Sequence, residues 1–365
     1  MCAACRWNKI KDNNIDRKAS SSSRTNTSSD SSSAASSSSF ADRTGDMMTP
    51  DMYQYRTTNG VKLDQIVKED MLIFDFDSNL DRLLKVVRDS KLLKPQVVRG
   101  ITFYTPLQLL SIGLSKLFNE LNYMKKEEVV ITDSLDFRGF LYFGVKASNA
   151  LAEALRYSAE FMQLPPNDRE VLFRRIYPVF INLERLYSSI QIFGSESKEI
   201  KIFFDDTQAF GPNFAALSSS DFPDAEAKNI FNIYKDCNKF LLESLYLPLK
   251  EIAIDQTEFA FLIASYMFSL EDSSEVEAET KTMGKRILES LNNEMYQYYV
   301  YTKGLPNFAY RITEISKLLA KAARYASLKK EVVAAAKFFD IYKRDTFLNK
   351  GFEIDSPGFM FILGS

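Results

Sequence analysis

The side chains able to do chemistry are few, and what is missing decides more than what is present. The 365 residues contain no histidine, so a Ser-His-Asp triad, a histidine general base and an HExxH zinc site are all excluded. Cys2, Cys5 and Cys237 are too sparse and odd a set for a disulfide framework and suit a reducing compartment such as cytosol or nucleus. Cys2 and Cys5 stand in a C-x-x-C spacing, which supplies half of a tetrahedral zinc site. Asp205-Asp206 has the composition for acid–base work, but an acidic pair after the alternating stretch Glu199 to Phe204 reads as a turn. No enzyme is expected from this inventory.

Charge and hydropathy narrow the classes further. With 46 basic against 48 acidic residues there is no whole-protein field to hold nucleic acid. The longest apolar run, Phe259 to Phe268, is about half of the ~20 residues needed to span a bilayer. Residues 1 to 20 are polar, so neither a membrane helix nor a signal peptide is expected.

Composition divides the chain. Residues 1–18 carry five basic and two acidic side chains, and residues 19–60 open on a serine tract with too little apolar surface to offset the entropy of ordering, a flexible hinge. Residues 61–104 hold one amphipathic stretch, Asn79 to Leu93, with Leu80, Leu83, Leu84 and Val87 on one face. From 105 to 365 helical periodicity is sustained. Pro106 opens a helix through Leu121, and another runs from about Asp136 to Leu164. The next, capped by Asn167 or Asp168, is expected to split into two helices at Pro178. Further helices are predicted at Ala225 to Tyr246, Asp255 to Leu270, Val276 to Tyr301 and Tyr310 to Tyr342. The expected fold class is all-α: a multi-layer, three-layer helical sandwich of about ten helices with at most one small β-hairpin, at Glu199 to Phe204.

Three stretches carry a resemblance. FMQLPPNDREVLFR, from Phe161 to Arg174, resembles the nuclear hormone receptor signature F-x-x-L-x-x-x-D-[QKR]-x-x-L-[LF]-[KR], which joins the third and fourth helices of the ligand-binding domain. The layout DQTE-FAFLIASYMF, LNNEMYQYY and YRITEISKLLAKAARY is similar to the eighth to tenth helices of such receptors. The details of that second stretch, including AAKFFDIYKRDTFL near its end, resemble the divergent nematode group. Cys2-Ala-Ala-Cys5-Arg6-Trp7-Asn8-Lys9 resembles the closing piece of the receptor zinc-finger domain, with Ile10 where a further cysteine is usual. The other zinc-binding cysteines have no counterpart here, so an incomplete, empty site at Cys2 and Cys5 is expected, with no cofactor in this chain and zinc only in a full-length receptor. Loss of sequence-specific DNA binding and a short isoform or truncated gene model follow as expectations.

The resemblance implies a nuclear transcription regulator whose ligand-binding domain takes a hydrophobic small molecule and recruits coactivator or corepressor helices. Its coregulator groove would comprise Arg156 as basic clamp, Phe161, Leu172, Phe173, Arg174 as a second basic edge, and Glu353 as acidic clamp. Arg156 also reads as a solvated arginine, and Leu172 and Phe173 as plain core. The ligand pocket would be lined by Phe143, Ala147, Leu151, Ala154, Leu183, Leu186, Tyr187, Ile190, Ile315 and Leu319, although 29 Phe and 18 Tyr supply enough bulk to fill such a space outright. Gly351 and the Pro357-Gly358 pair are expected to shorten any terminal helix, with the C-terminal FMFIL folding back instead as a plug over the core or pocket. A homo- or heterodimer with nuclear receptors would form around Glu314 to Tyr325, and a decoy isoform that acts only by pairing is the alternative.

Overall fold

The computed structural model describes residues 65–68, 71–95, 103–211, 218–219, 223–343 and 351–364. Cys2, Cys5, the serine tract and the RDTFL of AAKFFDIYKRDTFL lie outside them.

The described elements are β1 (Gln65–Lys68), β2 (Met71–Phe74), α1 (Phe76–Asp89), α2 (Pro106–Leu121), β3 (Val130–Thr132), β4 (Ser134–Leu135), α3 (Phe137–Leu155) and α4 (Ala159–Met162). They continue with α5 (Pro166–Phe193), β5 (Ile202–Phe203), β6 (Gln208–Phe210), β7 (Ser218–Ser219) and α6 (Asp224–Phe240). After a π-helical turn at Leu241–Tyr246 come α7 (Leu247–Ile252), α8 (Gln256–Phe268), α9 (Ala278–Gln297), a second π-helical turn at Tyr298–Thr302, α10 (Ala309–Phe338) and α11 (Pro357–Leu363).

Local chemistry explains most of the helix starts. Thr105 and Gln108 form a reciprocal capping box at α2, with Pro106 at the first helical position where its missing N–H costs nothing. Asp255 and Glu258 do the same at α8, and Asp136 caps α3 by accepting the Gly139 N–H at 2.9 Å. At α5 the expected cap is corrected: Pro165 occupies the cap position without a side-chain bond, and the Asp168 carboxylate instead accepts the Thr280 hydroxyl of α9. The helix expected to reach Leu164 ends at Leu155, where Ser158 starts the separate turn α4.

The expected break at Pro178 is also corrected. α5 is one helix of 28 residues. Its flanks Tyr177, Val179, Phe180 and Ile181 are all buried, so packing on every side compensates for the donor that proline removes.

α5 and α8 form the middle layer, packed between α2 and α3 on one side and α10 on the other, with α6 against α10 and α9 against α8. This is the three-layer, all-α architecture expected. The hairpin forms as β5–β6, pairing Ile202 with Phe210 and Phe203 with Ala209. It is joined in parallel by β3, and β1–β2 and β4–β7 make two further small sheets, so more than one β element is present. Those strands are two to four residues long, too short to carry a readable alternation.

Candidate functional site: an apolar cavity with two cations, and a filled groove

A cavity of about 140 Å³ opens between α5, α6, α10 and the β5–β6 hairpin. Its wall is largely aromatic, including Phe140, Phe203, Phe204, Phe210 and Phe231. Two cations line it. Arg185 projects from α5 and Lys329 from α10, each more than nine-tenths buried, and both lie against the same Phe140 ring, 4.8 and 5.9 Å from its centroid.

Neither cation has a carboxylate partner among the described residues. Arg185 donates only to the Ile181 carbonyl (3.2 Å), the Phe204 carbonyl (3.5 Å) and the Asn182 side chain (3.3 Å). Lys329 Nζ donates to the Leu363 carbonyl at the end of α11. Burial, with the nearby Arg185 charge adding to it, pulls the Lys329 amine down to about 7. Glu184, beside Arg185 in sequence, turns to Ser188 (2.7 Å) and Tyr123 (3.0 Å), and burial raises its carboxyl to about 7. The wall also carries the hydroxyl pair Tyr234–Tyr342, 2.6 Å apart. The wall is thus apolar with two cationic groups, the chemistry complementary to an apolar body with one anionic end.

α11 closes one side. Leu363 is part of the cavity wall, Phe361 stacks on Tyr177 at 4.5 Å, and Phe359, Ile362 and Leu363 are buried. The FMFIL segment is therefore a short helix that also plugs the core.

Of the pocket residues expected from spacing, Leu186 lines this cavity. Phe143, Ala147, Leu151, Ala154, Leu183, Tyr187, Ile190 and Ile315 are buried, and Leu319 is half-buried, in the packed layers outside its wall. Tyr187 stacks on Phe259 at 4.5 Å. Lys329 could have been found: it falls on the buried stripe Ile315, Leu318, Ala322, Tyr325, Lys329, Val333, a cation at a position where helical spacing demands an apolar residue.

The residues expected to form the coregulator groove lie on α3, α4, α5 and the turn before α11. Phe161, Leu172 and Phe173 are fully buried core, with Phe173 stacked on Phe361 of α11 at 6.0 Å. Arg156 caps α3, pairs with Glu153 at 2.7 Å and donates to the Lys91 carbonyl at 3.2 Å. Arg174 is exposed and bonds Glu170 at 3.1 Å. Glu353 is half-buried in the turn before α11. α1 packs against α3, α5 and α11, burying Phe76, Leu80, Leu83, Leu84 and Val87. Asp77 Oδ1 accepts the Ser356 hydroxyl (2.6 Å) and the Gly358 N–H (2.5 Å) at the start of α11.

Among the described residues no helix is long and apolar enough to cross a membrane, and no group of three or more candidate ligands could hold a metal ion.

The sequence model of the ligand-binding domain of nuclear hormone receptor matches residues 125–339. Relatives are nuclear hormone receptor family members of Caenorhabditis elegans. Nhr-213 is 19% identical over 195 residues, 53% of this chain and 47% of the relative. Nhr-44 is 18% identical over 265 residues (72% and 61%), and nhr-10 is 30% identical over 107 residues (29% and 27%). The chain thus spans about half the length of curated relatives such as nhr-213, with 47% covered. The domain match takes in more than half of the residues, and by it the chain belongs to the nuclear hormone receptor family.

Proposed function

We propose that this chain is the ligand-responsive part of a nuclear transcription regulator, which binds a small apolar acid in the α5–α6–α10 cavity and exchanges coregulator helices at the α3–α5 edge. One observation carries the ligand class: Arg185 and Lys329 are buried on an apolar wall and, among the described residues, neither is bonded to a carboxylate. A buried charge without a counter-ion is costly, and a ligand carboxylate would supply the missing partner. Lys329 also holds the last carbonyl of α11, so an acid bound there alters the contact that seats the terminal helix. A space of about 140 Å³ accommodates a molecule of roughly benzene size.

The test is thermal unfolding with millimolar benzoate or benzyl alcohol. Benzoate is expected to raise Tm above the alcohol, and Lys329→Met to abolish the difference. Equal shifts in both proteins would remove the proposal.

The size of the cavity favours a second reading as well, since it lies below the ~300–1,000 Å³ usual for drug-sized ligands. In that reading a filled receptor acts by pairing with other receptors, and the exposed Tyr310 and Phe338 of α10, with Phe339 just beyond it, would lie in the contact.

A further inference from the structure

α1 packs on three other helices of the domain, α3, α5 and α11. Its apolar residues Leu80, Leu83, Leu84 and Val87 repeat at i, i+3, i+4 and i+7, the anchor spacing of helices that dock into grooves. They are buried in the trough between α3, α5 and α11. Both ends of α1 are tied to that trough through charged side chains. Beyond its C-terminus, Arg156 donates to the Lys91 carbonyl (3.2 Å) and Arg169 to the Ser90 carbonyl (3.2 Å), while Arg88 pairs with Glu170 of α5. At its N-terminus, Asp77 ties α1 to α11. Free carbonyls at a helix end seek donors and cations, and the two arginines meet that need.

We infer that α1 is a built-in occupant of the helix dock, and that the partner which takes its place is an amphipathic helix from another chain with the same apolar spacing and a free C-terminal end for Arg156 and Arg169. This rests on the reading of the α3–α5 edge as a docking surface. A tethered occupant acts at an effective concentration of about millimolar, so an external helix binds only as α1 lifts. The trough is then silent until something weakens the α1 seat. Asp77 reaches α11 directly, so displacement of α11 loosens α1 as well.

The test uses a fluorescein-labelled peptide of residues 74–91 and anisotropy with the full chain. Arg88→Glu removes the ion pair to Glu170 from a partly exposed position, and Leu83→Ala weakens an apolar anchor. The expected result is peptide binding at least tenfold tighter to either folded variant than to the wild type, with a Leu83→Asp peptide binding none of them. Hydrogen exchange of the unmodified chain should show the α1 amides opening as a unit before those of α8. Equal affinity for wild type and variants overturns self-occupancy while leaving the dock. Absence of peptide binding to variants that keep wild-type circular dichroism overturns both. Exchange of α1 only together with α8 makes α1 permanent core and likewise overturns the inference.

Discussion

Replacing Gly358 by alanine sets two effects against each other. Gly358 is the second residue of α11 and is not among the positive-φ positions, so helix propensity alone favours alanine by about 1 kcal/mol. The added Cβ would lie 2.1 Å from the Phe76 carbonyl oxygen and 2.2 Å from its carbon. These are backbone atoms of α1 that cannot rotate aside, and α11 has to withdraw by on the order of 1 Å to reach ordinary contact. Withdrawal stretches both bonds to Asp77, now 2.5 and 2.6 Å. Hydrogen bonds to a charged group contribute about 1.5–3 kcal/mol each, and overpacking costs about 1–3 kcal/mol. The steric term wins, with a net local loss of about 3 kcal/mol, on the order of a hundredfold in the opening equilibrium. Hydrogen exchange read by mass spectrometry, with α8 as internal reference, should show α1 and α11 exchanging about a hundredfold faster. Unchanged or slower exchange at α11 would refute the close α1–α11 contact from which the reasoning starts.

Other substitutions probe the layers and buried charges. Gly113→Ala places a Cβ 2.3 Å from the Ala154 carbonyl oxygen between α2 and α3; a loss of about 1–3 kcal/mol in urea unfolding is expected, against the gain that propensity alone would give. Burial pushes the Glu258 carboxyl up, but Arg311, the Asp255 N–H, Tyr299 and Lys303 outweigh it and hold the carboxyl below the usual range. Arg311→Met should therefore cost about 3–5 kcal/mol by stranding a buried charge, whereas an unchanged unfolding midpoint would show the pair to be dispensable. The Glu184 carboxyl is raised from 4.5 to about 7 by burial, so between these values the folded chain holds more protons and its stability falls as pH rises. Glu184→Gln should gain up to about 3 kcal/mol on the wild type above pH 7 and little below pH 4.5; parallel stability–pH curves would contradict this. Lys329 has the opposite sign, because its lowered proton affinity makes stability rise with pH above about 7.

Much of the fold is legible because apolar spacing of three and four marks most of the long helices, and because Pro106, Asp136 and Asp255 sit where helix starts need them. The Pro178 break fails for a physical reason: proline's intrinsic penalty is local, whereas the burial of Tyr177, Phe180 and Ile181 depends on neighbours far away in sequence. The same limit hides the cavity. Its walls come from α5, α6, α10 and a β-hairpin, and spacing within one helix identifies a buried face without telling packed core from cavity wall, so Leu186 alone of the expected residues lines it. Leu80, Leu83, Leu84 and Val87 announce the α1 helix, but its seat is set by Arg156, Arg169 and Glu170, each more than 60 residues away.

A crystal structure with benzoate is the direct test of the proposed acid site at Arg185 and Lys329. The ring is expected among Phe203, Phe210 and Phe231, with a carboxylate oxygen about 2.7–3.2 Å from Lys329 Nζ or the Arg185 guanidinium. A cavity left without the ring, or a ring bound there with its carboxylate turned away from both cations, would contradict it.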